Sequence, residues 1–212
     1  MLSFSTSIAL LISYLYGSIP TAIWLGKAVY GIDVREYGSG NAGATNTFRI
    51  LGKKAGIPVL IIDVLKGFTA TNLVYFVGNY TPGTVQFANF QLVLGITAVV
   101  GHIFPIFAGF RGGKGIATLF GMIIAVHPQA SMYACLVFVV SLLITRYVSL
   151  SSMLASFMFP VIIILFFNET TTKTQLLFAI SVCILVMFTH QKNIERLLKG
   201  KESKANIFKR SS

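Results

Sequence analysis

An all-α, polytopic integral membrane protein is the fold class this sequence predicts, and three observations predict it. Charged residues make up only 11% of the 212 and hydrophobic ones 55%, with a mean hydropathy of +0.78; soluble domains carry about 25% charged residues. The apolar residues fall in long runs, close to the ~20 that a spanning helix needs. The basic residues cluster on alternate connections between those runs, as the positive-inside rule requires. A water-soluble domain and a disordered chain are thereby excluded. Six Pro and 19 Gly without a repeat exclude a collagen-like chain. Cys135 and Cys183 lie in apolar runs and read as packing residues, not as a disulfide framework.

The first run, roughly 4–26, has no Lys or Arg ahead of Lys27. It lacks the basic start of a cleaved signal peptide and reads as a retained span. The second, roughly 55–77, carries Asp63 and Lys66 three residues apart. On a helix these can pair, which lowers the cost of charge within the bilayer. The third is roughly 86–107. The fourth, roughly 114–128, is short enough to be tilted or only partly spanning. His127 falls at its outer end and reads as interfacial. The fifth and sixth, roughly 130–146 and 150–167, lie close together, so six or eight spans remain open. The seventh, roughly 174–190, leads into a basic tail at about 191–212. About seven spans in a single membrane-embedded domain over 1–212 are expected.

Orientation follows from charge. Fifteen of the 17 Lys and Arg lie after the first, third and fifth runs or in the tail; Lys173 alone lies in the other connections, and Lys66 is inside a run. The N-terminus is expected outside and the C-terminus in the cytoplasm. Nearly all the unusual polar sequence shares that cytoplasmic side. With the formal net charge of +11 held outside the hydrocarbon, the expected partners are anionic lipid heads or phosphorylated substrates, not nucleic acid.

Three polar strings could carry chemistry. The first is Gly38-Ser39-Gly40-Asn41-Ala42-Gly43-Ala44-Thr45-Asn46-Thr47-Phe48-Arg49. Its glycines let backbone N–H groups approach a ligand. Ser39, Asn41, Thr45 and Asn46 add neutral donors, and Arg49 adds a fork suited to phosphate. Gly38, Gly40 and Gly43 have the spacing of a dinucleotide fingerprint, but that motif needs a βαβ unit, and both flanks here are apolar helices. A plain flexible loop is the alternative.

The second runs from Gly101-His102 through Arg111-Gly112-Gly113-Lys114-Gly115 to Thr118. It is not a Walker A loop, because Ala108 and Gly115 stand where that motif needs Gly and Ser or Thr. The logic is similar, with free backbone, a point charge on Lys114 and a helix starting just beyond. Membrane-surface anchoring is the alternative for Arg111 and Lys114. The third string, 189–202, places His190, Asn193 and Arg196 at spacing three on one helical face. A basic juxtamembrane helix explains its Lys and Arg but not His190 or Asn193. No Cys, His, Asp and Glu cluster has metal spacing, and no cofactor is expected.

Taken together, the three strings resemble the cytoplasmic signatures of the bacterial membrane acyltransferases that use acyl phosphate to acylate glycerol 3-phosphate, the PlsY family. The resemblance covers about a fifth of the chain. It implies transfer of a fatty acyl group to the 1-hydroxyl of sn-glycerol 3-phosphate, giving lysophosphatidic acid and phosphate. That is the first acylation of phospholipid synthesis, at the bacterial inner membrane. By the same resemblance Ser39 and Arg49 fall at essential positions, and the glycines and Lys114 fall in the glycerol-phosphate loop. His190 and Asn193 fall at activity-critical positions and Glu202 at a structural one. The expected catalytic residues are thus Ser39, Arg49, His190 and Asn193. Gly38, Gly40, Asn41, Gly43, Thr45, Asn46, His102, Gly112, Gly113, Lys114, Gly115 and Thr118 are expected to bind substrate. The proton of the attacking hydroxyl could pass to His190, His102 or a substrate phosphate. A transporter of lipid anions would instead want polar groups near the midplane, and a lipid-binding scaffold leaves the first two strings unexplained.

Overall fold

The computed structural model describes residues 3–205. Lys209 and Arg210, counted in the charge asymmetry, and the rest of the tail beyond 205 lie outside the described residues. The regular elements among the described residues are helices. The chain divides into two compact units between Pro128 and Gln129.

The first unit holds α1 (Phe4–Ser18), α2 (Thr21–Tyr30), α3 (Ala44–Leu51), α4 (Lys53–Asn72), α5 (Val85–Ile103) and α6 (Ile116–Val126). Side-chain oxygens start two of them: Ser3 Oγ accepts from Thr6 N and Thr84 Oγ1 from Phe87 N, each at 3.2 Å. Pro20, which has no N–H, marks the break between α1 and α2, where the axis turns by 42°. Small residues let α1 pack on α5 and α4 on α6. A Cβ on Gly17 would stand 2.0 Å from the Ala98 carbonyl oxygen. One on Gly67 would stand 1.9 Å from that of Thr118, and one on Gly121 the same distance from that of Val64. This is backbone-on-backbone packing of the kind that replaces the hydrophobic drive in lipid. The outward faces are apolar, with Leu11, Leu60, Ile61, Leu65, Val93 and Ile96 exposed.

The second unit holds α7 (Pro128–Thr145), α8 (Val148–Phe166), α9 (Lys173–Thr189) and α10 (Gln191–Leu198). α8 and α9 pack together. A capping box of Thr172 and Gln175 opens α9, and a 60° bend at His190 separates it from α10.

All seven apolar runs are helical, and length and composition alone qualify up to six of them as spans. Lys53–Phe76, Val85–Ala108, Pro128–Thr145 and Val148–Phe166 are long and apolar enough to cross a membrane, and the two bent pairs bring the number to six. The fourth run is the exception. α6 has 11 residues, a rise of about 16 Å at 1.5 Å per residue, against a hydrocarbon core of about 30 Å. His127, expected at an interface, is buried at the end of α6. Cys135 and Cys183 are free and partly buried.

Candidate active site

The first two polar strings both lie in the first unit, and the structure brings their loops together. Asn46 organises the first loop from below. It is 1% exposed, its Oδ1 accepts from Ser39 N at 2.9 Å, and its Nδ2 donates to the carbonyls of Val34 (2.9 Å) and Tyr37 (3.1 Å). Its side chain is therefore spent on the loop backbone. Gly38 must be glycine here: its φ is +61°, and a Cβ would meet Asn46 Oδ1 at 2.5 Å. Gly43 starts α3; its carbonyl accepts from Asn46 N, Thr47 N and the Thr47 hydroxyl, each at 3.1 Å. Above this base Ser39, Gly40, Thr45 and Arg49 are exposed and Asn41 is half-buried.

The second loop folds back over the end of α5. Gly112 N donates to Ile103 O at 3.1 Å and Gly113 N to His102 O at 3.2 Å. A Cβ on Gly113 would stand 2.2 Å from His102 Nε2, so the loop backbone lies directly on the imidazole. Gly115, at φ +77°, starts α6, with Lys114 half-buried just before it and Arg111 exposed.

Beneath the second loop lies a buried polar cluster. His102 Nδ1 is 3.1 Å from Thr118 Oγ1 and 3.8 Å from Asp63 Oδ1. Asp63 Oδ1 also receives Lys66 Nζ at 2.9 Å and the Thr21 hydroxyl at 3.2 Å. Lys66 donates in turn to Ile19 O, at the α1–α2 break, at 3.0 Å. Asp63 and Lys66 pair as their spacing predicts, and the pair tethers a broken helix. His102 and Thr118 are 6% and 0% exposed. They support the loop from inside, whereas Ser39, Thr45 and Arg49 present side chains outward.

Two residues absent from the sequence-derived site join the loops. Asp33 accepts from Arg35 Nε (3.0 Å) and Nη2 (2.7 Å), and Arg35 Nη1 reaches the carbonyls of Ala108 (3.0 Å) and Arg111 (3.4 Å) in the second loop. The Arg35 guanidinium, working against partial burial, holds the Asp33 carboxyl well below the usual carboxylate range. The signal was an Asp-x-Arg pair in a chain with only six acidic residues.

The third string lies in the second unit. His190 is 4% exposed and ends α9. Its Nδ1 is 2.8 Å from Val186 O. A carbonyl only accepts, so Nδ1 carries a proton and the basic nitrogen of the neutral ring is Nε2. Asn193 and Arg196 converge on Glu202: Asn193 Nδ2 donates to Oε1 (2.7 Å) and Arg196 Nε to Oε2 (2.6 Å). Ser149 Oγ, on α8, donates to the same Oε1 at 2.7 Å. Burial pushes the Glu202 carboxyl up, and the hydrogen bonds from Ser149, Arg196 and Asn193 more than offset it, leaving it below its usual value. Glu202 thus clasps the chain after α10 onto α8. Among the described residues no group of three His, Cys, Asp or Glu could hold a metal ion.

Residues 7–200 match the family model described as glycerol-3-phosphate acyltransferase. The chain belongs to the glycerol-3-phosphate acyltransferase family. Among curated members, the glycerol-3-phosphate acyltransferase of Enterococcus faecalis is 43% identical, covering 94% of this chain and 92% of that one. That of Chlorobium phaeobacteroides strain BS1 is 39% identical over 96% and 98%. The crystal structure of PlsY, an integral membrane glycerol 3-phosphate acyltransferase in its glycerol 3-phosphate form, superposes with a TM-score of 0.82. It is 37% identical, and the match covers 94% of this chain and 95% of that one. Its lysophosphatidic acid form gives 0.78 at 36% identity. Family members acylate glycerol 3-phosphate, and this chain is a multi-pass membrane acyltransferase.

Proposed function

We propose that the acyl donor is acyl phosphate and that the site described above performs the transfer at the cytoplasmic face of the bacterial inner membrane. Glycerol 3-phosphate is acylated on its 1-hydroxyl to lysophosphatidic acid, and inorganic phosphate leaves. One acyltransferase domain comprises both units, a reading supported by the family match over residues 7–200. The observation that carries the proposal is the joining of two glycine-rich loops by Arg35, with exposed Ser39, Arg49 and Arg111 and half-buried Lys114 on them. That arrangement suits two phosphates held near each other.

The hydroxyl oxygen attacks the acyl carbon, negative charge grows on the carbonyl oxygen, and the carbon–oxygen bond to phosphate breaks. Phosphate is already a good leaving group, so positioning and charge stabilisation supply most of the catalysis. Lys114 and the glycine backbone hold the acceptor phosphate, and Arg49 and Ser39 act at the reacting groups. His102 lies under Gly113 and serves as support. His190, with Asn193, acts at the second unit by orienting a substrate. The hydroxyl proton passes to a substrate phosphate oxygen. His190→Ala then lowers kcat yet keeps the acid limb of the pH–rate profile, whereas a positioned general base is worth roughly 10²–10⁴-fold and takes that limb with it.

The deciding assay is phosphate release by purified protein from acyl phosphate, with and without glycerol 3-phosphate and with no coenzyme A. Release that depends on glycerol 3-phosphate supports the proposal. Activity with acyl-coenzyme A alone overturns it. A reporter fused near Thr81 reads outside in the proposed orientation and cytoplasm in the reverse one.

A further inference from the structure

We propose that Arg35 is a positioning residue for the acyl transfer, setting the separation of the two glycine-rich loops and so of the two anionic groups they hold. The inference rests on the reading of those loops as the phosphate sites. It starts from how the guanidinium is used. Nε and Nη2 face the Asp33 carboxylate as a fork, and Nη1 points away from it to the carbonyls of Ala108 and Arg111. All three nitrogens are thus engaged with protein, and the side chain is only 21% exposed. An arginine meant for substrate phosphate would turn its fork outward; Arg49, exposed on α3, is free to do so. Asp33 is itself fixed at its other side, by Arg35 N at 3.0 Å and by Lys27 Nζ, from the last turn of α2, at 3.3 Å.

The two carbonyls that Arg35 takes bracket a left-handed turn. Gly109 and Phe110 have φ of +62° and +58°, and for Phe110 this is a region that L residues seldom occupy. The turn leads directly into Gly112, Gly113 and Lys114. On the other side, Arg35 lies on the 3-10 turn Val34–Glu36, whose Val34 carbonyl is held by Asn46. One planar group therefore registers the base of the first loop against the entry to the second. A lysine could carry the charge, but it lacks the fork to face a carboxylate and two carbonyls at once.

The test uses the purified full chain with acyl phosphate and glycerol 3-phosphate, measuring kcat and both KM values for wild type, Arg35→Lys, Arg35→Gly, Asp33→Asn, Arg49→Lys and Lys114→Met. Misplaced reacting groups cost up to about 10²-fold in rate. Arg35→Lys is expected to lose at least tenfold in kcat, with KM for glycerol 3-phosphate moving less than about threefold. Asp33→Asn, which loosens the aim of Arg35, loses less in the same direction. Arg35→Gly regains part of its kcat with added guanidinium ion. A rise in KM equal to that of Lys114→Met, with kcat unchanged, overturns the proposal and makes Arg35 a phosphate ligand. Wild-type kinetics in both Arg35→Lys and Asp33→Asn also overturn it. If Arg35→Lys does not fold, Asp33→Asn alone decides by the same kcat-against-KM split. Unaltered kinetics in both Arg49→Lys and Lys114→Met would instead sink the reading of the loops, a result distinct from either failure of Arg35.

Discussion

Asp63–Lys66 and Asp33–Arg35 are the same kind of pair in two settings. The first has both side chains at 3% exposure or less, inside the helices of the first unit. The second sits at the loops with 10% and 21%. The interior pair satisfies itself, a hydroxyl and one carbonyl at a helix break, so its geometry is local and its removal leaves a charge with no water to take it. The loop pair spends half its donors on backbone from a distant segment, so its value lies in what it joins. Burial sets how much a pair matters to stability, and the partners of its spare donors set what it matters for.

The strongest way to break this comparison is Asp63→Leu, which orphans the Lys66 ammonium. Loss of one partner of a buried pair costs about 3–5 kcal/mol, and the double change Asp63→Leu with Lys66→Met should recover most of it. Unfolding of both variants in detergent measures this, and equal losses in the two would show that the pair is not the unit.

Gly113→Ala comes next. Its Cβ meets His102 Nε2 at 2.2 Å, so about 1–3 kcal/mol of overpacking strain is expected, with activity falling further. Gly109→Ala is the control, since nothing lies within 4 Å of its Cβ and only its positive φ is at stake. Equal thermal midpoints for the two would contradict the close approach.

The acid limb of stability sharpens the comparison in the second unit. Glu202 has a lowered folded-state pKa, so its contribution is complete above the ordinary Glu value of about 4.3. It fades as pH falls through the lower folded value. Glu202→Gln should flatten that part of the stability–pH curve. A curve that keeps its slope would mean that Ser149, Asn193 and Arg196 do not depend on the charge.

The smallest effect belongs to Glu195 and Lys199, a pair at 62% and 60% exposure. Glu195→Ala should change stability by less than about 0.5 kcal/mol. A larger loss would show that exposure is the wrong guide to these pairs.

The fold and the candidate site were legible in the sequence where one property dominated. Long apolar runs named the apolar helices, whereas the short polar helices α3 and α10 begin inside the first and third polar strings. Less legible was the division of labour within a string. Asn46 and Ser39 look alike as neutral donors seven residues apart in one string, yet one is buried under the loop and the other exposed on it. That difference depends on Val34 and Tyr37 carbonyls that only the folded backbone places. His102 and Thr118 are likewise supporting residues because α4 brings Asp63 to them. Asp33 and Arg35 escaped notice because their meaning lies in the carbonyls of Ala108 and Arg111, over 70 positions away.

The shortness of α6 bears on how this protein is made. An apolar helix of 11 residues reaches about half-way through the hydrocarbon, and its free ends would leave backbone groups bare in lipid. It cannot enter the bilayer as an independent segment. The interlocking glycines Gly67 and Gly121 give it a berth on α4, a helix synthesised earlier and able to insert alone. Membrane entry of α6 is then a docking event, completed when a partner already in place covers what the helix is too short to cover itself.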